Sequence, residues 1–477
     1  MTDVHRPSRR TRDAAEPVLT AGDLVRITGG ELLARSDRPV RGAAVDSRLI
    51  EAGQLFVALP GERTDGHAFL ADAVRNGAAA LVVSRRPSDL AALGDVTVVQ
   101  VADGLAALGA VAADWRRRFT PLVVGVTGSI AKTSTKEAVA AVLATRFRTL
   151  KNEGNLNNEI GLPLTVLRLR TEHEAAVLEM GMYVGGEIAD LAAIARPGVG
   201  VVTAVQPVHL SRIGSIEAIE RAKGELVEAL PSSGCAILNA DDERVRRMGS
   251  RTQARVLTYG FAEDADVRAD AVESAGSDGM RFDLRARGQR VSVAIPTLGR
   301  LAVHNALAAA AVGLAAGLTL DEIGRGLAGG WAAPHRAELV RLGGLTIVDD
   351  SYNASPGSVA AALELLGGLP GRRVAVLGEM LELGEGHEAG HRGVGEAASA
   401  VAELLVVVGD GAAGIADGAR LAGLAADRIV RVPDRDAALD QLRDRLRDGD
   451  VVLVKASRGV GLDVLVDRLR AAGAPAG

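Results

Sequence analysis

Aromatic residues are scarce in this chain, at 2% of 477 residues. Its cores must therefore be built from Ala, Val, Leu and Ile. Cysteine is rarer still: Cys235 stands alone. It cannot form an intramolecular disulfide, which fits a reducing, cytoplasmic compartment. No apolar run reaches the roughly 20 residues of a membrane span. An excess of positive charge is missing too. The formal net charge is −5, which argues against nucleic-acid binding by bulk attraction. Any anion site must be local. Arg6, Arg9, Arg10 and Arg12 make the N-terminus basic, without the apolar segment of a secretory signal. Heptads, short-period repeats and low-complexity tracts are also missing.

What is present is globular. The chain is 48% hydrophobic and 24% charged, and its length predicts about two to four domains. The stretch Pro121–Lys136 organises it. Leu122 to Val126 is a short β-branched run, the pattern of a buried strand. Thr127-Gly128-Ser129 breaks the run. From Lys132 the pattern turns helical, with Ala138, Val139, Val142 and Leu143 on one face. Strand, Gly-containing loop, Lys-Thr, helix is the layout of a phosphate cradle. Backbone N–H groups face the polyphosphate, Lys132 supplies a point charge, and the Thr133 hydroxyl can bind Mg²⁺. The match is imperfect, since Ala131 stands where a standard loop has glycine.

Residues 1–16 read as a disordered arm and Ala471–Gly477 as a frayed tail. Residues 17–118 read as a small α/β domain. Its helices are expected over Leu19–Ile27, Ala68–Val74 and Leu105–Trp115. Its strands are expected over Gln54–Leu59, Ala79–Val83 and Val96–Val101. A second domain is expected over 119–331, with further strands at Ala175–Glu179 and Val199–Val205. Each ends near a reactive residue, Glu179 in one case and His209 in the other. Taken singly, Glu179 reads as a strand-end surface charge and His209 as a loop histidine. Ligands of open parallel sheets bind beyond the carboxyl ends of the strands, so the phosphate loop, Glu179 and His209 together point to one crevice. The helix Ser215–Leu230 has apolar Ile216, Ile219, Leu226 and Leu230, with Lys223 filling the gap in the stripe. Either Lys223 snorkels to the rim, or it is buried with a functional partner or a chemical modification. Residues 332–477 read as a third unit, of alternating strands and helices, hence a mostly parallel, doubly wound sheet. Polar residues recur at its strand ends, in Asp349-Asp-Ser-Tyr-Asn353 and Lys455-Ala-Ser-Arg458.

Thr127-Gly-Ser-Ile-Ala-Lys-Thr-Ser-Thr-Lys-Glu137 resembles the phosphate loop of the Mur ligase family. Gly154-Asn-Leu-Asn-Asn-Glu-Ile-Gly-Leu-Pro163 is similar to a segment of the branch that adds D-alanyl-D-alanine to UDP-N-acetylmuramoyl-tripeptide. Asp46-Ser-Arg48, Gly61–His67, Glu179-Met-Gly, Ala222-Lys-Gly-Glu225, His304-Asn305, Asp349–Asn353, Gly378–Gly384 and Lys455–Arg458 follow the same branch in order. The resemblance implies a three-domain α/β architecture. A UDP-sugar-binding N-terminal domain precedes a central ATP-binding domain and a C-terminal Rossmann-like domain that receives the incoming amine. It implies ATP-dependent peptide-bond formation through an acyl phosphate, in peptidoglycan precursor synthesis, by a monomer. Gly128, Ser129, Ile130, Ala131, Lys132, Thr133 and Ser134 would bind nucleotide. Asn305 would contact the adenine, Arg336 the phosphates and Asp350 the ribose. Thr133 and Glu179 would bind one Mg²⁺, and His209 and Lys223 would serve a second. Catalysis would fall to Lys132, Glu179, His209 and Lys223. In this family the lysine matching Lys223 is typically carbamylated by CO₂. Ser47 and Arg48 would lie near the uridine, Asn155 and Asn158 would line the acceptor side, and Tyr352 and Asn353 would meet substrate.

Ala131, Ser355, His335, Tyr183-Val184 and Gln206-Pro207-Val208 depart from the family pattern. Two other readings therefore stand beside the first. One is a related ligase with another amine acceptor. The other is a non-catalytic nucleotide-binding relative, with Ala131 as a mark of decay.

Overall fold

The computed structural model describes residues 16–61, 64–207 and 213–472. The expected N-terminal arm, Glu16 apart, lies outside them, as do His209 and residues 473–477. The last helix, Leu462–Ala472, runs past Ala471, where fraying was expected to begin.

Three sheets carry the chain. The first has the spatial order Glu31–Ala34, Thr97–Gln100, Ala80–Val83, Leu55–Val57, Ala43–Ala44. Only its first pair is antiparallel. Its helices start where the sequence supplies caps. Thr20 and Asp23 form a capping box at Ala21–Thr28, and Asp103 accepts from Leu105 and Ala106 at Gly104–Arg117. The latter helix leads to the central sheet. Its buried Trp115 donates to the Leu169 carbonyl at 3.2 Å, and Arg116 donates to the Ala195 carbonyl at 2.8 Å. One hydrophobic core is consequently shared by the first sheet and one face of the second.

The central sheet has nine strands. Their order is Gln289–Ile295, Met280–Ala286, Val267–Ser274, Arg255–Gly260, Cys235–Asn239, Val199–Val202, Leu122–Thr127, Ala175–Glu179, Thr149–Lys151. From Leu122–Thr127 the chain runs out to one side of the sheet. It returns on the other side at Val199–Val202, so the loops after Thr127, Glu179 and Val202 open at one end. The expected Val199–Val205 strand stops at Val202 because the chain beyond it turns to serve the phosphate loop. Ser129 N–H donates to the Ala204 carbonyl at 2.7 Å, and Gln206 N–H donates to Ser129 Oγ at 2.9 Å.

The opposite face is closed by the alanine-rich helix Arg300–Ala315. With so few rings available, close approach does the packing. A Cβ on Gly313 would come within 2.9 Å of Val142, on the helix that follows the phosphate loop. The two outer antiparallel strands, absent from the sequence reading, join through Arg287-Gly288, with φ of 53° and 72°. Two left-handed residues are what a tight hairpin turn requires.

The third sheet has six strands: Glu338–Leu342, Leu345–Asp349, Asp450–Lys455, Arg372–Gly378, Leu404–Val408, Ile429–Val432. All pairs are parallel except the first, and helices cover both faces. This is the doubly wound sheet expected, with one antiparallel edge strand added. The sequence pattern predicts a helix over His391–Val401, and the helix found there is His387–Ser399. The whole is a three-domain α/β architecture. No helix among the described residues is long and apolar enough to cross a membrane.

Candidate active site

The phosphate loop is held open by its neighbours. Gly128 has φ 150°, and a Cβ there would lie 1.8 Å from Thr203 Oγ1. Only glycine fits. The same Thr203 hydroxyl donates to the Ile130 carbonyl at 2.6 Å. Ala131 has φ 63° and ψ 3°, the left-handed conformation that a glycine would adopt without strain. The chain keeps the loop's shape and accepts the cost of the methyl group. The helix Lys132–Leu143 starts immediately after.

Lys132 Nζ folds back on its own loop, donating to the Gly128 and Ser129 carbonyls at 2.7 and 3.3 Å. Burial pushes its ammonium below the usual lysine range, Glu179 opposes the shift, and Arg336 adds to it. Glu179 is 1% exposed. Its Oε2 accepts from Thr133 Oγ1 at 2.8 Å, and its Oε1 accepts from Asn157 Nδ2 at 2.7 Å. Asn152 holds the backbone on both sides. Its Oδ1 accepts from Glu179 N–H at 3.0 Å, and its Nδ2 donates to the Glu179 carbonyl at 3.2 Å.

Lys223 is buried on its helix. Burial, and then the neighbouring Lys132 ammonium, hold its own ammonium well below the usual range. No ion pair among the described residues neutralises it. At 3% exposure Lys223 does not snorkel to the rim.

A cavity of about 570 Å³ joins Ser129–Ser134 and Asn305 of the central unit to Arg336, Asp350, Tyr352 and Asn353. Asn155 also lines it. Asn305 Oδ1 accepts from Thr135 Oγ1 at 3.1 Å, which ties the Ala-rich helix to the phosphate-loop helix. Asp350 pairs with the buried Lys455 at 2.6 Å, and Lys455 also donates to the Asn353 carbonyl at 2.9 Å. The Tyr352 ring carries two guanidinium groups, Arg336 at 4.1 Å and Arg458 at 4.7 Å. Positive charge from both sides of the cleft thus collects in one cavity.

Three of the expected residues lie outside this cavity. Asn158 lies just ahead of the short helix Gly161–Val166, its Oδ1 accepting from Gly161 N–H at 2.9 Å. Ser47 and Arg48 belong to the first unit and do not line the cavity. Arg48 is exposed and pairs with Asp46 at 2.6 Å. The sequence reading did not select Asn152, Asn157, Lys455 or Arg458 as site residues. All four stand in motifs that it quoted or directly beside them, but spacing along the chain does not reveal which amide turns inward.

Thr133 and Glu179 present adjacent hard oxygen donors in a buried setting, which suits Mg²⁺. Among the described residues no cluster of three or more His, Cys, Asp or Glu side chains is assembled for a metal. A sparse set fits Mg²⁺, which completes its shell with phosphate oxygens and water.

Known proteins resemble this chain in sequence and in fold. Family models match along the chain: the Mur ligase family catalytic domain over residues 39–142, the Mur ligase middle domain over 126–313, and the Mur ligase glutamate ligase domain over 335–458. The UDP-N-acetylmuramoyl-tripeptide–D-alanyl-D-alanine ligase of Mycobacterium tuberculosis is 39% identical, covering 94% of this chain and 97% of its own. The structure of MurF from Acinetobacter baumannii superposes with a TM-score of 0.85 at 30% identity, over 95% of this chain and 99% of that one. The MurF ligase of Thermotoga maritima, solved in complex with ADP, gives a TM-score of 0.79 at 30% identity, over 90% and 96%. Sequence and fold agree along nearly the whole length, and the chain belongs to the Mur ligase family.

Proposed function

We propose that this ligase joins D-alanyl-D-alanine to UDP-N-acetylmuramoyl-tripeptide at the expense of ATP, in the cytoplasm, as a step of peptidoglycan precursor synthesis. One observation carries the reading: a single cavity faces Lys132 and Thr133 with Arg336, Asp350 and Tyr352. Such a cavity suits a polyphosphate held between two units. Residues 17–118 would hold the UDP-sugar end through Ser47 and Arg48, residues 119–331 the ATP, and residues 332–477 the incoming amine.

A carboxylate is a poor acyl donor. Its oxygen attacks the terminal phosphorus of ATP, giving an acyl phosphate and ADP. The dipeptide amine then attacks the acyl carbon, and phosphate leaves from the tetrahedral intermediate. Lys132, now turned to its own loop, would swing onto the phosphates. Gly128 to Ser134 would offer backbone N–H groups, Asn305 would meet the adenine, and Asp350 the ribose. Arg336 would offset charge on the phosphates, while Asn155, Tyr352 and Asn353 would line the acceptor side. Mg²⁺ held by Thr133 and Glu179 would offset charge on the transferring phosphoryl group. Burial favours the neutral form of an amine, and that form is nucleophilic toward CO₂. Lys223 would thereby become a carbamate and, with His209, serve a second Mg²⁺. A closed cavity excludes water and protects the acyl phosphate.

The test is phosphate release from ATP and Mg²⁺ with both acceptor substrates present, each omitted in turn. Mass spectrometry follows the pentapeptide. Product that requires every substrate supports the reading. ATP hydrolysis without product, or product only with another amine, overturns the assignment of the dipeptide.

A further inference from the structure

Lys136 is fully buried, at 0% exposure, one helical turn beyond the phosphate loop. A buried ammonium is costly unless its donors are satisfied, and an apolar side chain would fill the same space without that cost. Its contacts show where the charge is used. Nζ donates to the Asn152 carbonyl at 2.6 Å and reaches the Gly154 carbonyl at 3.5 Å. It also pairs with Glu137 at 2.9 Å, and Glu137 in turn pairs with Lys151.

Both carbonyls belong to the turn that feeds Glu179. Asn152 brackets the Glu179 backbone, and Asn157 holds its Oε1. The turn has no slack on its other sides. A Cβ on Gly161 would lie 2.4 Å from Leu156 Cα, and one on Gly181 would lie 2.9 Å from Asn157 Oδ1.

We propose that Lys136 is a positioning residue for the ligation. It locks the 152–157 turn to the phosphate-loop helix, so that Glu179 is held in register with Thr133, which sits on that same helix. One buried cation thereby ties the nucleotide loop to the carboxylate proposed as its metal ligand. The inference rests on Glu179 holding the metal.

The experiment measures Mn²⁺ binding by electron paramagnetic resonance in the presence of ADP, beside ADP binding without metal. Lys136→Met is expected to weaken Mn²⁺ binding about 10–100-fold, the range for partners that orient a metal ligand. ADP binding without metal should change less than about twofold. Asn157→Ala should give a similar loss, and the double variant should be no worse than the more severe single one, since both act through Glu179. Lys136→Gln, which keeps a donor, carries the same comparison if Lys136→Met does not fold, with a smaller loss. Unchanged Mn²⁺ binding with only a lower Tm would overturn the proposal and leave Lys136 a packing residue. So would additive losses. Glu179→Gln separates the two readings. If it abolishes Mn²⁺ binding while the Lys136 variants retain it, Lys136 alone is wrong. If it too leaves Mn²⁺ binding intact, the ligand role of Glu179 fails first.

Discussion

The Thr133 hydroxyl donates to Glu179 Oε2 at 2.8 Å, across 46 residues of sequence. One stands at the start of a helix and the other at the end of a neighbouring strand. Their contact sets a hydroxyl and a carboxylate side by side at the phosphate loop.

Glu179→Gln keeps the shape and the Asn157 contact but removes the charge. Loss of a preorganised electrostatic group costs about 10²–10³ in kcat. Steady-state kinetics should show that fall, together with a higher Mg²⁺ requirement. A variant with wild-type kcat and Mg²⁺ dependence would exclude Glu179 from the metal site.

Lys223→Met should abolish ligation yet stabilise the fold at neutral pH in CO₂-free buffer. The folded-state pKa of Lys223 lies below its unfolded value. Between the two, the unfolded chain binds more protons, so wild-type stability rises with pH. The advantage of Lys223→Met should therefore shrink as pH climbs toward the unfolded lysine pKa near 10.4. Urea titrations across that window read the trend. A constant difference would mean that Lys223 is charged in the folded state.

Ala131→Gly should relieve the left-handed strain at φ 63°. The gain is at most about 1 kcal/mol, since glycine also loosens the unfolded chain. Thermal unfolding checks the stability, and the KM for ATP checks the loop. A fall in KM would show that the methyl group crowds the phosphates. An unchanged KM would show that the loop tolerates it.

Tyr352→Ala removes the ring between Arg336 and Arg458. Two cation–π contacts at about 0.5–1 kcal/mol each predict a loss of roughly 5–30-fold in ATP affinity. Tyr352→Phe keeps the ring and should bind as the wild type does. Equal losses in both would place the effect in the hydroxyl instead.

The strand–loop–helix of the phosphate site was legible because it is local. A β-branched run, a glycine and a helical stripe lie within a single stretch. The Ala175–Glu179 strand and the parallel third sheet were legible for the same reason. Lys223 announced itself as a charge in an apolar stripe. The hairpin from Met280 to Ile295 escaped, although Arg287-Gly288 was its turn signal, because its polar, alternating strands lack a continuous apolar run.

The chain's own pattern thus determined which residues could do phosphate chemistry, since periodicity and strand ends are properties of neighbours in sequence. It did not decide which asparagine meets Glu179, that Asn158 accepts from Gly161 N–H, or that Lys136 is buried under the turn. Nor did it decide that Arg336 and Arg458 share one ring. Those contacts join residues far apart in the chain, and only the packing of sheets and helices brings them within hydrogen-bonding or stacking distance. The reason is physical: local pattern sets which face of an element is apolar, whereas side-chain direction at a buried site follows from the space and partners that other elements leave.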